Sequence, residues 1–177
     1  MDPQQVIRSD DGVMRCKQCG FAYDLDSMET ARRSGDGFDA FQFAVLAVPE
    51  RLQRRRPAPV IWSVNAYTAH MAEAANVIYE RVRNIAEQDC PTLEWYDENE
   101  AVERGGYDDR PAVGSLEPLR ESVAAFRRYL EDLAPEAWNR VGIHSRAGEV
   151  RLSEIAQDMS HELVHHTEDV TRIGGTG

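Results

Sequence analysis

The sequence predicts an all-α fold, an antiparallel four-helix bundle with a small CxxC knuckle at its N-terminal end. Three observations carry this. Apolar residues recur at three- and four-residue spacing in separate stretches, as amphipathic helices require. Glycine and proline clusters punctuate those stretches. Cys16-Lys17-Gln18-Cys19 precedes the first of them. Four amphipathic helices with at most a short hairpin bury their apolar faces against one another.

The chain of 177 residues suits one compact bundle. The expected division is a tail and knuckle over 1–26 and the bundle over 27–177. Residues 1–15 read as a flexible tail, and Cys16 to Gly20 as a tight turn in which Gly20 is free to take a positive φ. A first helix is expected over about 38–55, with Gly35 and Gly37 before it, Pro57 and Pro59 after it, and a kink or break at Pro49. The second is the clearest: Ser63 is a good N-cap, and Val64, Tyr67, Met71, Ala75, Ile78, Val82 and Ile85 form one stripe ending near 89–91.

Residues 90–114 read as a long, acidic, irregular connection. Ser115 then opens a third helix with the stripe Leu119, Val123, Phe126, Leu130 and Leu133, leaving Pro118 in its first turn. Residues 142–148 form a turn between short extended pieces. Ser153 caps a last helix carrying Ile155, Met159, Leu163, Val170 and Ile173.

Composition narrows the function. A net charge of −11 repels duplex nucleic acid and anionic membranes, and the one basic run, Arg51 with Arg54, Arg55 and Arg56, suits a solvated helix end. The apolar runs are too short to span a bilayer, and no basic region followed by an apolar stretch marks a signal peptide. A cytoplasmic protein acting on a small molecule, without nucleic acid or membrane, is expected; a dimer is compatible with the sequence.

The last helix contains His161-Glu162-Leu163-Val164-His165-His166. Two i,i+4 pairs overlap here, His161 with His165 and Glu162 with His166, and either could clamp one metal. At about 100° per residue, His166 falls roughly 40° and Glu162 roughly 80° from the core direction set by Leu152, Met159, Leu163 and Val170. His161 points nearly opposite the core, and His165 mostly outward. His70, at the edge of the second helix's stripe, completes a set of His70, Glu162 and His166. Two imidazoles and a carboxylate leave an open position, as in catalytic zinc sites, and also suit nickel or iron. Asp169, one turn on, is placed to orient a ligand. His161 to His165 also matches the HExxH pattern of zinc peptidases, but its first histidine faces away from the core and nothing upstream suggests a protease sheet.

With these residues in view, the chain resembles the DinB/YfiT-like superfamily. Trp62-Ser63 followed by Tyr67-Thr68-Ala69-His70-Met71 is similar to its second-helix signature, and Glu162 through Val170 to its last-helix signature. The resemblance covers about 38–173 and extends to the metal-binding domain of mycothiol-dependent maleylpyruvate isomerase. It implies a metal held by one histidine of the second helix and an i,i+4 pair of the last. Glu162 stands where many relatives have histidine, which is nearer the isomerase-like pattern; a match slid by one residue selects His161 and His165 instead. The activities implied are transfer of a low-molecular-weight thiol or thiol-dependent isomerisation. A non-catalytic metal-stabilised binding module and a zinc-dependent hydrolase are the alternatives. Trp95, Tyr96 and Tyr107 on the 90–114 connection are candidate substrate contacts, or ordinary packing against the bundle rim.

Cys16 and Cys19 form half of a zinc knuckle. Cys90 is one candidate for the rest. The pair His161 and His165 is another, because Cys-x2-Cys with His-x3-His is the spacing of a closed structural zinc site. An unliganded tail and a redox dithiol remain open on sequence alone.

Overall fold

Asp26 starts the first long helix: its side chain accepts a hydrogen bond from the Glu29 N–H, one of the donors a helix N-terminus leaves unpaired. In a computed structural model, which describes residues 6–175, this helix, α1, spans Ser27–Ala47. It begins well before the expected residue 38 because Gly35 and Gly37 lie inside it. Glycine in a helix interior costs about 1 kcal/mol relative to alanine. At Gly37 that cost is offset by a close helix approach, since a Cβ there would stand 3.0 Å from Leu163 Cβ. Pro49 divides the predicted first helix, leaving α2, Glu50–Gln53, as a separate turn.

The third helix, α3, spans Val64–Glu87, and the Ser63 hydroxyl accepts from the Ala66 N–H at its start. The following connection is more ordered than expected. It holds strand β3 (Thr92–Leu93), helix α4 (Glu98–Gly105) capped by Asp97, and a 3-10 turn over Tyr107–Asp109. Helix α5 runs over Ala112–Glu131, starting before Ser115, so Pro118 falls beyond the first turn. Its ring faces solvent, where water can satisfy the Gly114 carbonyl that loses its helical partner.

Strands β4 (Val141–His144) and β5 (Gly148–Arg151) make the expected turn and pair antiparallel, while β3 adds to β4 in parallel. The last helix, α6, spans Leu152–Gly174. Its N-cap is Arg151, whose N–H is accepted by Glu154, and not Ser153 as expected.

Neighbouring pairs in the bundle are α1 with α6, α6 with α3, α3 with α5, and α5 with α1. The consecutive long helices α1 and α3 therefore sit on a diagonal, which brings α3 directly against α6. Phe41, Met71, Leu119, Phe126, Met159 and Leu163 fill the centre. Among the described residues no helix is long and apolar enough to cross a membrane.

The N-terminal arm corrects the expected flexible tail. Strands β1 (Val6–Arg8) and β2 (Met14–Cys16) pair antiparallel, with Val6 opposite Cys16; residues 1–5 of the expected tail lie outside the described residues. The chain beyond β2 lies along α6: the Tyr23 hydroxyl donates to Asp158 Oδ1 at 2.9 Å, and the Leu25 N–H donates to Gln157 Oε1 at 2.9 Å.

Candidate metal centre

The contact of α3 with α6 brings His70, Glu162 and His166 together; one ligand atom from each lies within 4.8 Å of the others. His70 is 1% exposed and His166 is 7% exposed. Their rings stand 5.2 Å apart and nearly perpendicular, at 89°. His166 Nδ1 sits 3.0 Å from Asp169 Oδ2, which leaves Nε2 turned toward the cluster. That Nε2 is 3.2 Å from Glu162 Oε2 but without hydrogen-bond geometry, and it is buried with no partner. Both ring nitrogens of His70 are likewise buried and unpartnered. Native interiors leave few such groups unsatisfied, and an ion is one recognised reason.

Charge in the site is organised around the carboxylates. Burial alone would push the Glu162 carboxyl up, but the imidazoles of His161, His166 and His70 outweigh it and hold it well below the usual range. Burial likewise opposes a charged His166, yet Asp169 and Glu162 bring its imidazolium up to about 9. Two imidazoles and a carboxylate converge here, with both His70 nitrogens and His166 Nε2 lacking hydrogen bonds, and this donor set fits a divalent cation with an open position.

Aromatic side chains wall the site. The Trp62 ring lies 5.0 Å from His70 and 6.1 Å from His166, and the Tyr67 ring 5.1 Å from His166. A cleft of about 480 Å³ opens over His166 and Asp169, bordered by Trp62, Tyr67, Glu98 and Arg172. That size falls within the range of small-molecule sites, ~300–1,000 Å³. Sequence reasoning missed Glu98, which half-buries its carboxyl between this cleft and Glu162. Burial and the Glu162 charge push it up. No spacing signal distinguishes it from the other acids of its segment.

The three aromatic candidates on the connection separate. The Tyr96 ring lies parallel to His70 at 6.3 Å. Tyr107 is instead a packing residue, buried with Ala66, Ala69 and Val102. Trp95 lies edge-on to His144 with the Arg146 guanidinium over its ring, and none of the three lines the cleft.

His161 and His165 do not face solvent as their helical phase implied. They are 3% and 9% exposed because the N-terminal arm covers that flank of α6. Cys16, Cys19, His161 and His165 cluster there, with one ligand atom each within 4.8 Å. Cys90 is exposed and not part of this cluster.

These features define a four-helix bundle with a candidate metal centre between its second and last long helices. The family model for the DinB superfamily matches residues 38–170, most of the chain, and the chain belongs to that superfamily. The solved structure of YfiT from Bacillus subtilis, described as a probable metal-dependent hydrolase with an unusual four-helix bundle topology, aligns at a TM-score of 0.74 and 18% identity, covering 84% of this chain and 87% of that one. Mycothiol-dependent maleylpyruvate isomerase aligns at a TM-score of 0.67 and 16% identity, covering 84% of this chain and 62% of that one. This chain thus spans less than two thirds of the isomerase's length. At these identities the likeness is one of fold. No curated protein sequence matches the chain.

Proposed function

We propose that this chain is a metal-dependent enzyme in which His70, Glu162 and His166 hold a divalent cation, zinc before nickel or iron, to activate a low-molecular-weight thiol for transfer or isomerisation of a small substrate. The observation that carries this is the convergence of buried imidazole nitrogens without hydrogen bonds on a partly buried carboxylate. When bound, such a cation lowers the pKa of a thiol or water entering its open position.

The chain's own residues supply the rest. Asp169 fixes the His166 ring through Nδ1. Glu98, its carboxyl pushed up beside the cleft, is placed to accept a proton from the incoming nucleophile. Trp62 and Tyr67 limit water, and the Arg172 guanidinium at the cleft edge is held by Asp169 and Glu168. The family and the mycothiol dependence of one structural neighbour support the thiol reading. Hydrolysis is the second reading, favoured by the description of YfiT and by the same Glu98 proton acceptor.

The test is metal analysis combined with two assays, thiol transfer from mycothiol to an electrophilic dye and ester hydrolysis. His70→Ala and His166→Ala are each expected to lose one metal equivalent and the activity, while Glu121→Ala, exposed on α5, keeps both. Full metal retention in His70→Ala overturns the site. Hydrolysis without thiol transfer selects the second reading over the first.

A further inference from the structure

We propose that Cys16, Cys19, His161 and His165 are the complete ligand set of a structural zinc ion that clamps the N-terminal arm onto α6, beside the His70 cluster. The donors pair a Cys-x2-Cys turn with an i,i+4 histidine pair, and one ligand atom from each of the four lies within 4.8 Å. Cys16 Sγ stands 3.7 Å from His165 Nδ1. Tetrahedral zinc, with bonds of about 2.3 Å to sulfur and 2.0–2.1 Å to nitrogen, sets such atoms about 3.6 Å apart.

Burial makes these groups hard to explain otherwise. Cys16 is 2% exposed and His161 3% exposed; His161 Nδ1 has Glu162 Oε1 at 3.2 Å without hydrogen-bond geometry, and its Nε2 is buried with no hydrogen-bond partner. The Phe21 and Tyr23 rings close over His161 at 5.6 and 5.7 Å. Unpaired polar groups in such surroundings destabilise a fold unless something satisfies them.

The backbone is shaped for a sulfur ligand. The Gly20 N–H returns to the Cys16 carbonyl at 3.0 Å, and Gly20 takes φ +72°, which closes the turn that carries both cysteines. The arm's two paired strands are three residues each, too short to be stable alone, so a metal clamp adds to the Tyr23 and Leu25 hydrogen bonds that tie it to α6.

Four protein ligands leave no position for substrate, so this centre is structural where the His70 centre is open. The two share α6. Asp169 Oδ2 lies 3.0 Å from His166 Nδ1 and 3.8 Å from His165 Nε2. Glu162 places Oε1 3.2 Å from His161 Nδ1 and Oε2 3.2 Å from His166 Nε2. The clamp also holds Gln18 in the wall of the cleft. It does not depend on the reading of the His70 centre.

The experiment uses the full chain, with zinc counted by elemental analysis and replaced by cobalt for spectroscopy. Cobalt-loaded protein is expected to show a thiolate-to-cobalt charge-transfer band with tetrahedral ligand-field intensity. Cys19→Ser is expected to lose one zinc equivalent and that band; His166→Ala also loses one equivalent but keeps the band. Absence of the band in the unmutated protein overturns the proposal, however the variants fold. So does a Cys19→Ser protein that keeps its full zinc content. Metal retained in His166→Ala with the band intact counts against the His70 centre alone.

Discussion

Replacing Asp169 with asparagine isolates the carboxylate that orients His166. The Oδ2 atom lies 3.0 Å from Nδ1 of the ring, and unit charges at that distance interact by about 5.5 kcal/mol at an effective dielectric of about 20. Less than that is at stake. A ring on a cation carries only part of its charge, Arg172 Nη1 at 2.8 Å from Asp169 Oδ1 neutralises some of the carboxylate, and asparagine keeps an acceptor oxygen. What remains is consistent with the ~10–100-fold fall in metal affinity, about 1.4–2.7 kcal/mol, usual for losing such an acceptor. The pH dependence sharpens the expectation. Asp169 also helps hold the His166 imidazolium up at about 9, so at neutral pH a proton competes with the metal for that ring. Removing the carboxylate eases this competition, so the deficit should widen as pH rises from neutrality toward that value. The assay is competition with a chromophoric chelator at two pH values on cobalt-loaded protein, with any thiolate band used to score the cysteine cluster separately. An affinity within twofold of the parent at both pH values, with the helical signal unchanged, would refute the orienting role.

Two further outcomes test the fold that presents the site. Gly37→Ala places a Cβ 3.0 Å from Leu163 Cβ, an atom that moves only with α6; overpacking of ~1–3 kcal/mol should outweigh the helix-propensity gain of about 1 kcal/mol. Thermal unfolding should therefore begin lower in Gly37→Ala, and a stabilised variant contradicts the close α1–α6 contact. His144 is held below its ordinary value by burial and then by the Arg81 charge, and its Nδ1 accepts from the N–H groups of Arg146 and Ala147. A depressed histidine contributes stability that is complete above about pH 6.5 and lost as pH falls through the folded value. Urea unfolding at pH 7.5 and 5.5 should show a larger acid loss in the parent than in His144→Asn; equal losses contradict it.

Much of this was legible in the chain. The α3 stripe with its Ser63 cap, the break at Pro49 and the short extended pieces around 142–148 follow from local periodicity and backbone chemistry, and they stand in the structure. The start of α1 was hidden because two glycines read as a boundary until a neighbouring helix is present to use the space they leave. Helix α4 and the packed Tyr107 were hidden in an acidic segment whose order comes from contacts with α3.

Helical phase in the last segment separated Glu162 and His166 from His161 and His165, because side-chain direction along a helix is set by its period. Phase cannot say what covers the outward flank. Only the tertiary structure decided that the N-terminal arm folds over it, converting two histidines read as solvent-facing into buried ones beside Cys16 and Cys19. It also decided that Glu98 enters the cleft and that α3 lies against α6. The residue types and spacings of the candidate ligands are local properties of the chain. Their convergence depends on which helix faces which, and that is settled by packing between residues far apart in sequence.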